Sequence, residues 1–226
     1  MAELELLEAA RHSGLRVSSA NAATRHFVQL VSDEFLPASL DYPILFTKHS
    51  DSGAFYAGAV MGFEAGKNLL TKDGRLPGYR PADLVRQGAF LTANGIAIDP
   101  ADPVWTADGD PLFDEQAEPT AALKRVQAAM HLLQTGLPDT EAFIARLRQH
   151  ELIEPIDITL DFDDGARVRL DGLYSISLDR LHALPDAVAL ALFRQGDLQL
   201  AYNQANSVRH IRRLAAIRNS LLSEER

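Results

Sequence analysis

The sequence predicts an α+β fold made mostly of antiparallel strands and hairpins, with helices packed on one side. A hairpin near the N-terminus is the first observation behind it. Pro43 fixes φ and lacks an N–H, so it suits the first residue of a strand, and the apolar run 44–46 follows it. Asp51-Ser52-Gly53 has turn composition, and residues 54–61 form the second strand.

A second hairpin and several helices complete the prediction. Residues 156–162 and 166–170 alternate apolar and polar side chains around Asp163-Asp164-Gly165, and residues 172–176 extend the second strand. Helical spacing predicts a helix over 119–135 that ends at Gly136 and a neighbouring helix over 139–149. We further expect a short helix within 1–14, a strand over 198–202 and a final helix capped by Ser207.

Residues 94–118 are rich in proline, glycine and aspartate, which indicates an acidic irregular connection. We therefore predict a β-rich N-terminal half (1–98), an acidic connecting loop (99–118) and an α+β C-terminal half (119–226). The alternative is one continuous domain over 12–222.

Composition excludes several classes of function. The net charge of −9 argues against broad binding to nucleic acids or anionic membranes, because both require a cationic surface. The absence of cysteine excludes disulfides and thiolate chemistry. No uncharged apolar stretch is long enough for a transmembrane helix, and the acidic start does not have the pattern of a signal peptide. We expect a soluble cytoplasmic protein.

No complete catalytic motif is present, so we expect no cofactor and favour a protein that is not an enzyme. Residues 62–68 lack both the first glycine and the Ser or Thr of a phosphate-binding loop. His49 and Asp51 have the spacing of part of a non-heme iron site, which would need a distant third ligand. A metal-dependent enzyme that uses these two residues is the alternative hypothesis, against the simpler interpretation of a polar hairpin turn.

Several strings of residues show that the chain resembles the SapC family of bacterial proteins. The most specific is Tyr-Pro-Ile-Leu-Phe-Thr-Lys at 42–48, and weaker strings lie at 78–82, 152–155, 171–174 and 196–198. His49 stands where the family often has an acidic residue, and residues 85–90 lack the usual paired arginines. The resemblance covers about residues 12–215.

The resemblance implies an accessory protein of a bacterial envelope or nutrient-uptake system, with a structural surface-layer component as a further alternative. We expect a protein partner, and the formation of a homo-oligomer is an open alternative. The basic face of the last helix, which includes Arg212 and Arg218, is either solvated or binds an acidic partner. The predicted binding surface consists of polar and aromatic residues beside the family strings: Tyr42, Lys48, Asn68, Tyr79 and Arg80. A purely structural role for each of them is the competing interpretation.

Overall fold

The computed structural model describes residues 4–224. Its strands are β1 (Glu5–Leu6), β2 (Arg16–Val17), β3 (Phe27–Leu30), β4 (Ile44–Lys48), β5 (Phe55–Val60), β6 (Ala89–Thr92), β7 (Gly95–Ile98), β8 (Asp110–Pro111), β9 (Ile153–Pro155), β10 (Thr159–Asp161), β11 (Arg167–Arg169) and β12 (Tyr174–Ile176). Its α-helices are α1 (Ala9–His12), α2 (Phe35–Ser39), α3 (Ala82–Val85), α4 (Ala121–Gln149), α5 (Leu178–His182), α6 (Asp186–Arg194), α7 (Asp197–Ser207) and α8 (His210–Glu224). Every pairing between these strands is antiparallel, which confirms the predicted α+β class.

The chain forms two compact units, each assembled from two separate stretches of sequence. The first unit comprises Met1–Thr24 and Thr71–Thr135, and the second comprises Arg25–Leu70 and Gly136–Arg226. This interleaved division differs from the predicted linear halves. Whether residues 1–98 or 119–226 fold by themselves stays a prediction.

The first unit contains a three-stranded sheet in the order β1-β7-β6 and the short pair β2-β8. Its apolar core joins Ile98 and Val104 to the first turns of α4. The indole Nε1 of Trp105 donates to the carbonyl oxygen of Asp99 at 2.8 Å, and the ring packs against this core. The expected helix within 1–14 is partly wrong, because Glu5–Leu6 is a strand and the helix is only Ala9–His12; residues 1–3 of that prediction lie outside the described residues.

The second unit is organised around a five-stranded sheet in the order β3-β5-β4-β12-β9. Both predicted hairpins, β4–β5 and β10–β11, are confirmed. Residues 172–176, however, do not extend the second hairpin. Gly172 has φ +74°, which redirects the chain, and Tyr174–Ile176 instead joins the large sheet between β4 and β9.

The helix α4 is continuous, so the prediction of two helices separated at residues 136–138 is wrong. Gly136 and Pro138 predicted a helix end, but the helix passes through both. The hydroxyl of Thr140 donates to the carbonyl oxygen of Gly136 at 2.6 Å and accepts from the amide of Ser32 at 2.8 Å. Gly136 itself lies against Val31, where a β-carbon would stand 2.8 Å from the valine side chain. Glycine is therefore needed for close packing here and does not end the helix.

Residues 198–202 are helical, which contradicts the predicted strand. The buried face of α7 consists of Asp197, Ala201, Gln204 and Ser207, and because three of these are polar the helical spacing is hidden from a hydrophobic pattern. Asp197 is held by a bidentate pair with Arg146, with N–O distances of 2.6 and 2.8 Å.

Ser207 does not cap the final helix, which begins at His210. Its hydroxyl instead accepts from the amide of Ile44 at 2.8 Å and donates to the carbonyl oxygen of Gln204 at 2.6 Å. This serine therefore connects α7 to the first residue of β4.

The β10–β11 hairpin is attached to α8 through its tip. Arg218 binds the carboxylate of Asp164 with both terminal nitrogens, at 3.1 and 3.3 Å, and its guanidinium carbon lies 3.9 Å from the ring centroid of Phe162. The amide of Asp163 donates to the side-chain oxygen of Asn219 at 3.2 Å. Part of the predicted basic face of the last helix thus binds an acidic turn of the same chain.

Candidate functional site

Lys48 lies at the end of β4, directly opposite Phe55 in the β4–β5 ladder. Directly opposite residues project from the same face of a sheet, and so do residues two apart on one strand. Tyr174 of β12 aligns with Phe46, so it joins Lys48 and Phe55 on that face. The ammonium nitrogen of Lys48 lies 4.8 Å from the ring centroid of Phe55 and 4.9 Å from that of Tyr174. The two rings meet edge to face, with centroids 4.9 Å apart.

Two arginines lie beside these rings. The guanidinium carbon of Arg148, in the last turn of α4, is 5.4 Å from the Phe55 centroid. Arg180 of α5 donates to the carbonyl oxygen of Glu151 at 2.7 Å. They line an open pocket of about 430 Å³ together with Phe55, Glu151, Ile153 and Tyr174. We call Lys48, Phe55, Arg148, Tyr174 and Arg180 the cation–aromatic cluster.

The positive charges of this cluster are not neutralised by ion pairs. Within residues 4–224, Lys48, Arg148 and Arg180 have no carboxylate at ion-pair distance, in contrast to Arg146, two positions before Arg148, which pairs with Asp197. All three cations are exposed, while Phe55 and Tyr174 are half-buried. Contact with the rings orients Lys48 and Arg148 and leaves their N–H groups available. The chemistry that this arrangement supports is binding of an anionic group with an apolar neighbour.

A second cavity shares Phe55 and Arg148 with the first. It has a volume of about 230 Å³ and lies between α4 on one side and the ends of β3 and β5 on the other. We call it the α4–β5 groove. Its lining residues are Gln29, Leu30, His49, Ala54, Phe55, Tyr56, Ala57, Leu137, Thr140, Glu141, Ile144, Ala145 and Arg148.

Of the five residues predicted for the binding surface, Lys48 lies in the cluster. Tyr42 is only 2% exposed, and burial raises the pKa of its hydroxyl well above the ordinary range, with a smaller contribution from Asp41. Asn68 is buried and accepts from the amide of Leu70 at 2.9 Å. Both positions have a structural role, and their part in binding stays a prediction.

Tyr79 and Arg80 belong to the first unit, whereas Lys48 belongs to the second. Arg80 is half-buried and donates to the carbonyl oxygen of Ser19 and to the side-chain oxygen of Asn21. Burial lowers the pKa of its guanidinium, and the nearby charges of Arg125 and Arg75 lower it further. The structure thus gives Arg80 structural contacts that a binding role would have to share.

His49 and Asp51 lie in the β4–β5 turn. The imidazole of His49 stacks on the ring of Tyr56, with centroids 4.1 Å apart and planes at 17°. Asp51 accepts a hydrogen bond from the hydroxyl of Ser50 at 3.0 Å. Over the part of the chain that the structure describes, no group of three or more His, Asp or Glu side chains could hold a metal ion. The metal hypothesis therefore has no third ligand among these residues.

Sequence reasoning missed Phe55, Arg148, Tyr174 and Arg180. A signal for Phe55 existed, because a hairpin with its turn at 49–54 places it opposite Lys48. Tyr174 closes one of the strings on which the family resemblance rests. No local pattern distinguishes Arg148 or Arg180 from an ordinary solvated arginine.

Comparison with known protein families shows to which family the chain belongs. The family model of SapC matches residues 7–214. The chain belongs to the SapC family. In this SapC-family chain, Lys48 and Tyr174 each end one of the family-like strings and lie together in the cluster. No curated protein and no solved structure matches the sequence. Across residues 4–224, no helix combines the length and the apolar character needed to cross a membrane.

Proposed function

We propose that this SapC-family protein is a non-enzymatic accessory protein that binds an acidic segment of a partner protein at the cation–aromatic cluster. The observation that carries the proposal is the placement of Lys48 and Arg148 beside the ring of Phe55 without a carboxylate partner in the described chain. Charged groups that are oriented but not neutralised are suited to recognise an opposite charge on a partner.

The cluster also offers a small apolar surface. Half-buried aromatic rings and arginines are enriched in protein interfaces, where they contribute much of the binding energy. The cluster is a local positive region on a chain whose net charge is −9, so an acidic segment would be attracted to the cluster and repelled by the remaining net charge of the chain. By family analogy alone, the system served is a bacterial envelope or nutrient-uptake system, and a cytoplasmic location stays a prediction.

The test is affinity capture from the source bacterium, with cross-linking and mass spectrometry, using wild-type protein and the double variant Lys48→Gln/Arg148→Gln. We expect a stoichiometric protein to be recovered with wild type and lost with the double variant, while the melting temperature is retained because both side chains are exposed. Arg167→Gln, at an exposed arginine paired with Asp161, is the matched control and should retain the partner. Equal recovery with all three proteins would reject this site.

A further inference from the structure

We infer that the bound acidic segment is an extended peptide lying in the α4–β5 groove, with an apolar side chain in the groove and an acidic group at Arg148. This inference rests on the proposed function and adds the conformation and sequence class of the partner segment. It is supported by an open strand edge, by the dimensions of the groove and by the distribution of charge along α4.

The first support is the unpaired edge of β5. β3 pairs only with Ala57–Val60 of β5, because the chain turns into a 3₁₀ helix at Ser32 immediately after Val31. The amide of His49 donates to the carbonyl oxygen of Ala54, so these two residues form a hydrogen-bonded pair of the β4–β5 ladder. Hydrogen-bonded and non-hydrogen-bonded pairs alternate, so the next pair, Lys48 and Phe55, is a non-hydrogen-bonded pair. The N–H and C=O of Phe55 therefore point away from β4, toward the side on which β3 has ended. No backbone group among residues 4–224 bonds to them.

The second support is the wall formed by α4. The residues of α4 that line the groove recur at helical spacing, which means that one continuous stripe of the helix faces the cavity. From the first to the last of them the helix rises by about 16 Å, the length of about five residues of extended chain. These residues are Leu137, Thr140, Glu141, Ile144, Ala145 and Arg148.

The apolar part of the groove lies between Leu30 and Ala57 on the sheet and Ile144 on the helix. The hydroxyl of Thr140 is already engaged by Gly136 and Ser32, so it offers little to a polar ligand group. A cavity of about 230 Å³ can accept one aliphatic side chain of a partner, and burial of such a side chain would contribute to affinity.

Charge along the stripe determines which end of the groove binds the acidic group of the segment. Glu141 lines the groove and Arg148 lies two turns further along α4, about 10 Å away along the helix axis. An acidic group on the segment is repelled at the Glu141 end and attracted at the Arg148 end, where Lys48 adds a second positive charge through its contact with the Phe55 ring. The segment thus has an apolar residue followed or preceded, at a distance of about two or three residues, by an acidic residue.

The experiment uses the full chain and synthetic peptides. The probe is acetyl-Lys-Thr-Leu-Thr-Glu-Glu, compared with acetylated hexaglutamate and with versions of the probe methylated at one backbone nitrogen at a time. Affinities are measured by titration calorimetry at low ionic strength. Ala145→Phe fills the groove from an exposed position, and Ala142→Phe, exposed on the same helix but outside the groove, is the matched control.

We expect the leucine-containing probe to bind about tenfold more tightly than hexaglutamate, and expect Ala145→Phe but not Ala142→Phe to abolish that advantage. Backbone methylation should weaken binding at one position of the probe, since the carbonyl oxygen of Phe55 is the acceptor that this edge of β5 offers to a peptide amide. If both peptides bind equally, depend on Arg148 and ignore methylation and Ala145→Phe, this inference is wrong while the proposed function stands. If no acidic peptide binds, or if the peptides bind and Arg148→Gln leaves every affinity unchanged, both are wrong.

Discussion

The side-chain amide of Gln204 donates to the carbonyl oxygen of Ile44 at 2.7 Å, although 160 residues separate the two. Its oxygen accepts from the amide of Ile176 at 3.0 Å. β4 and β12 pair directly only at Phe46 and Tyr174. Gln204 therefore supplies the hydrogen bonds of a strand ladder at the point where these two strands separate, and it is fully buried there.

Replacing the side chain of Gln204 should destabilise the protein. We expect Gln204→Leu to lower the free energy of unfolding by about 3 kcal/mol, because the carbonyl of Ile44 and the amide of Ile176 would both lose their partner inside the protein. Urea denaturation measures the change. Gln199→Leu, on the exposed face of the same helix, should change stability by less than about 0.5 kcal/mol, and similar losses for the two variants would contradict the bridging role.

The close approach of α4 to Val31 predicts the effect of adding one methyl group. Gly136→Ala should destabilise the protein by about 1–3 kcal/mol despite the better helix propensity of alanine, because the new β-carbon would stand 2.8 Å from the Val31 side chain. The double variant Gly136→Ala/Val31→Ala tests the cause. We expect it to be more stable than the sum of the single changes implies, and strict additivity would show that this contact is not responsible.

Burial of Tyr42 predicts a stability change at alkaline pH. Burial raises the folded-state pKa of Tyr42 above the ordinary value of 10.0. Its contribution to the free energy of unfolding is therefore complete below pH 10 and is lost as the pH rises above that value. We expect Tyr42→Phe to reduce the fall in unfolding free energy between pH 9 and pH 11, by up to about 1.4 kcal/mol for each pH unit above 10. Tyr202→Phe, at a more exposed tyrosine, should leave the slope near that of wild type.

The attachment of the β10–β11 hairpin to Arg218 predicts a local effect of acid. The pKa of Asp164 is lowered, first by the hydrogen bond from the Ala166 amide and then by Arg218. The contribution of ionised Asp164 to the stability of the hairpin is present above the ordinary pKa of an aspartate, near 4, and is lost as the pH falls through the folded-state pKa. We expect Arg218→Gln, or strong acid, to reduce the protection of the Phe162 amide against hydrogen exchange, relative to the intrinsic rate at the same pH, because this amide donates to Ala166 within the hairpin.

The control for this hairpin is Arg212→Gln, at an exposed arginine of the same helix. It should leave the exchange of the Phe162 amide unchanged. Faster exchange in both variants would mean that the hairpin responds to the net charge of α8 and not to the bond with Asp164.

Local sequence signals were sufficient for the hairpins and insufficient for the helices around residues 136 and 200. The β4–β5 hairpin could be predicted because Pro43 marks the start of its first strand, Gly53 marks its turn, and its two strands are adjacent in the sequence and pair with each other. The continuity of α4 depends on packing of Gly136 against Val31, and the helix α7 depends on a polar buried face that includes Gln204. Tertiary contacts decide these cases, and a single sequence does not display them.

The residues of the candidate site divide in the same way, into those that a local sequence signal predicts and those that depend on tertiary contacts. Lys48 was predicted because it ends a distinctive string, whereas the rings that hold it depend on the register of β5 and on the pairing of β12 with β4. Arg148 reaches Phe55 only because α4 continues past Pro138 for three further turns. A prediction that ends the helix at Gly136 leaves no reason to connect this arginine with the hairpin.

The interleaving of the two units has a consequence for synthesis of the chain on the ribosome. The hairpin β4–β5 emerges early, but its neighbour β12 and the helix that carries Gln204 are translated only after the whole of Thr71–Thr135. Until then the apolar strand Ile44–Phe46 has no cover from α7 and a free edge on one side. Completion of this sheet is therefore a late event, and a nascent chain that stalls before residue 204 leaves the apolar residues of β4 exposed to chaperones.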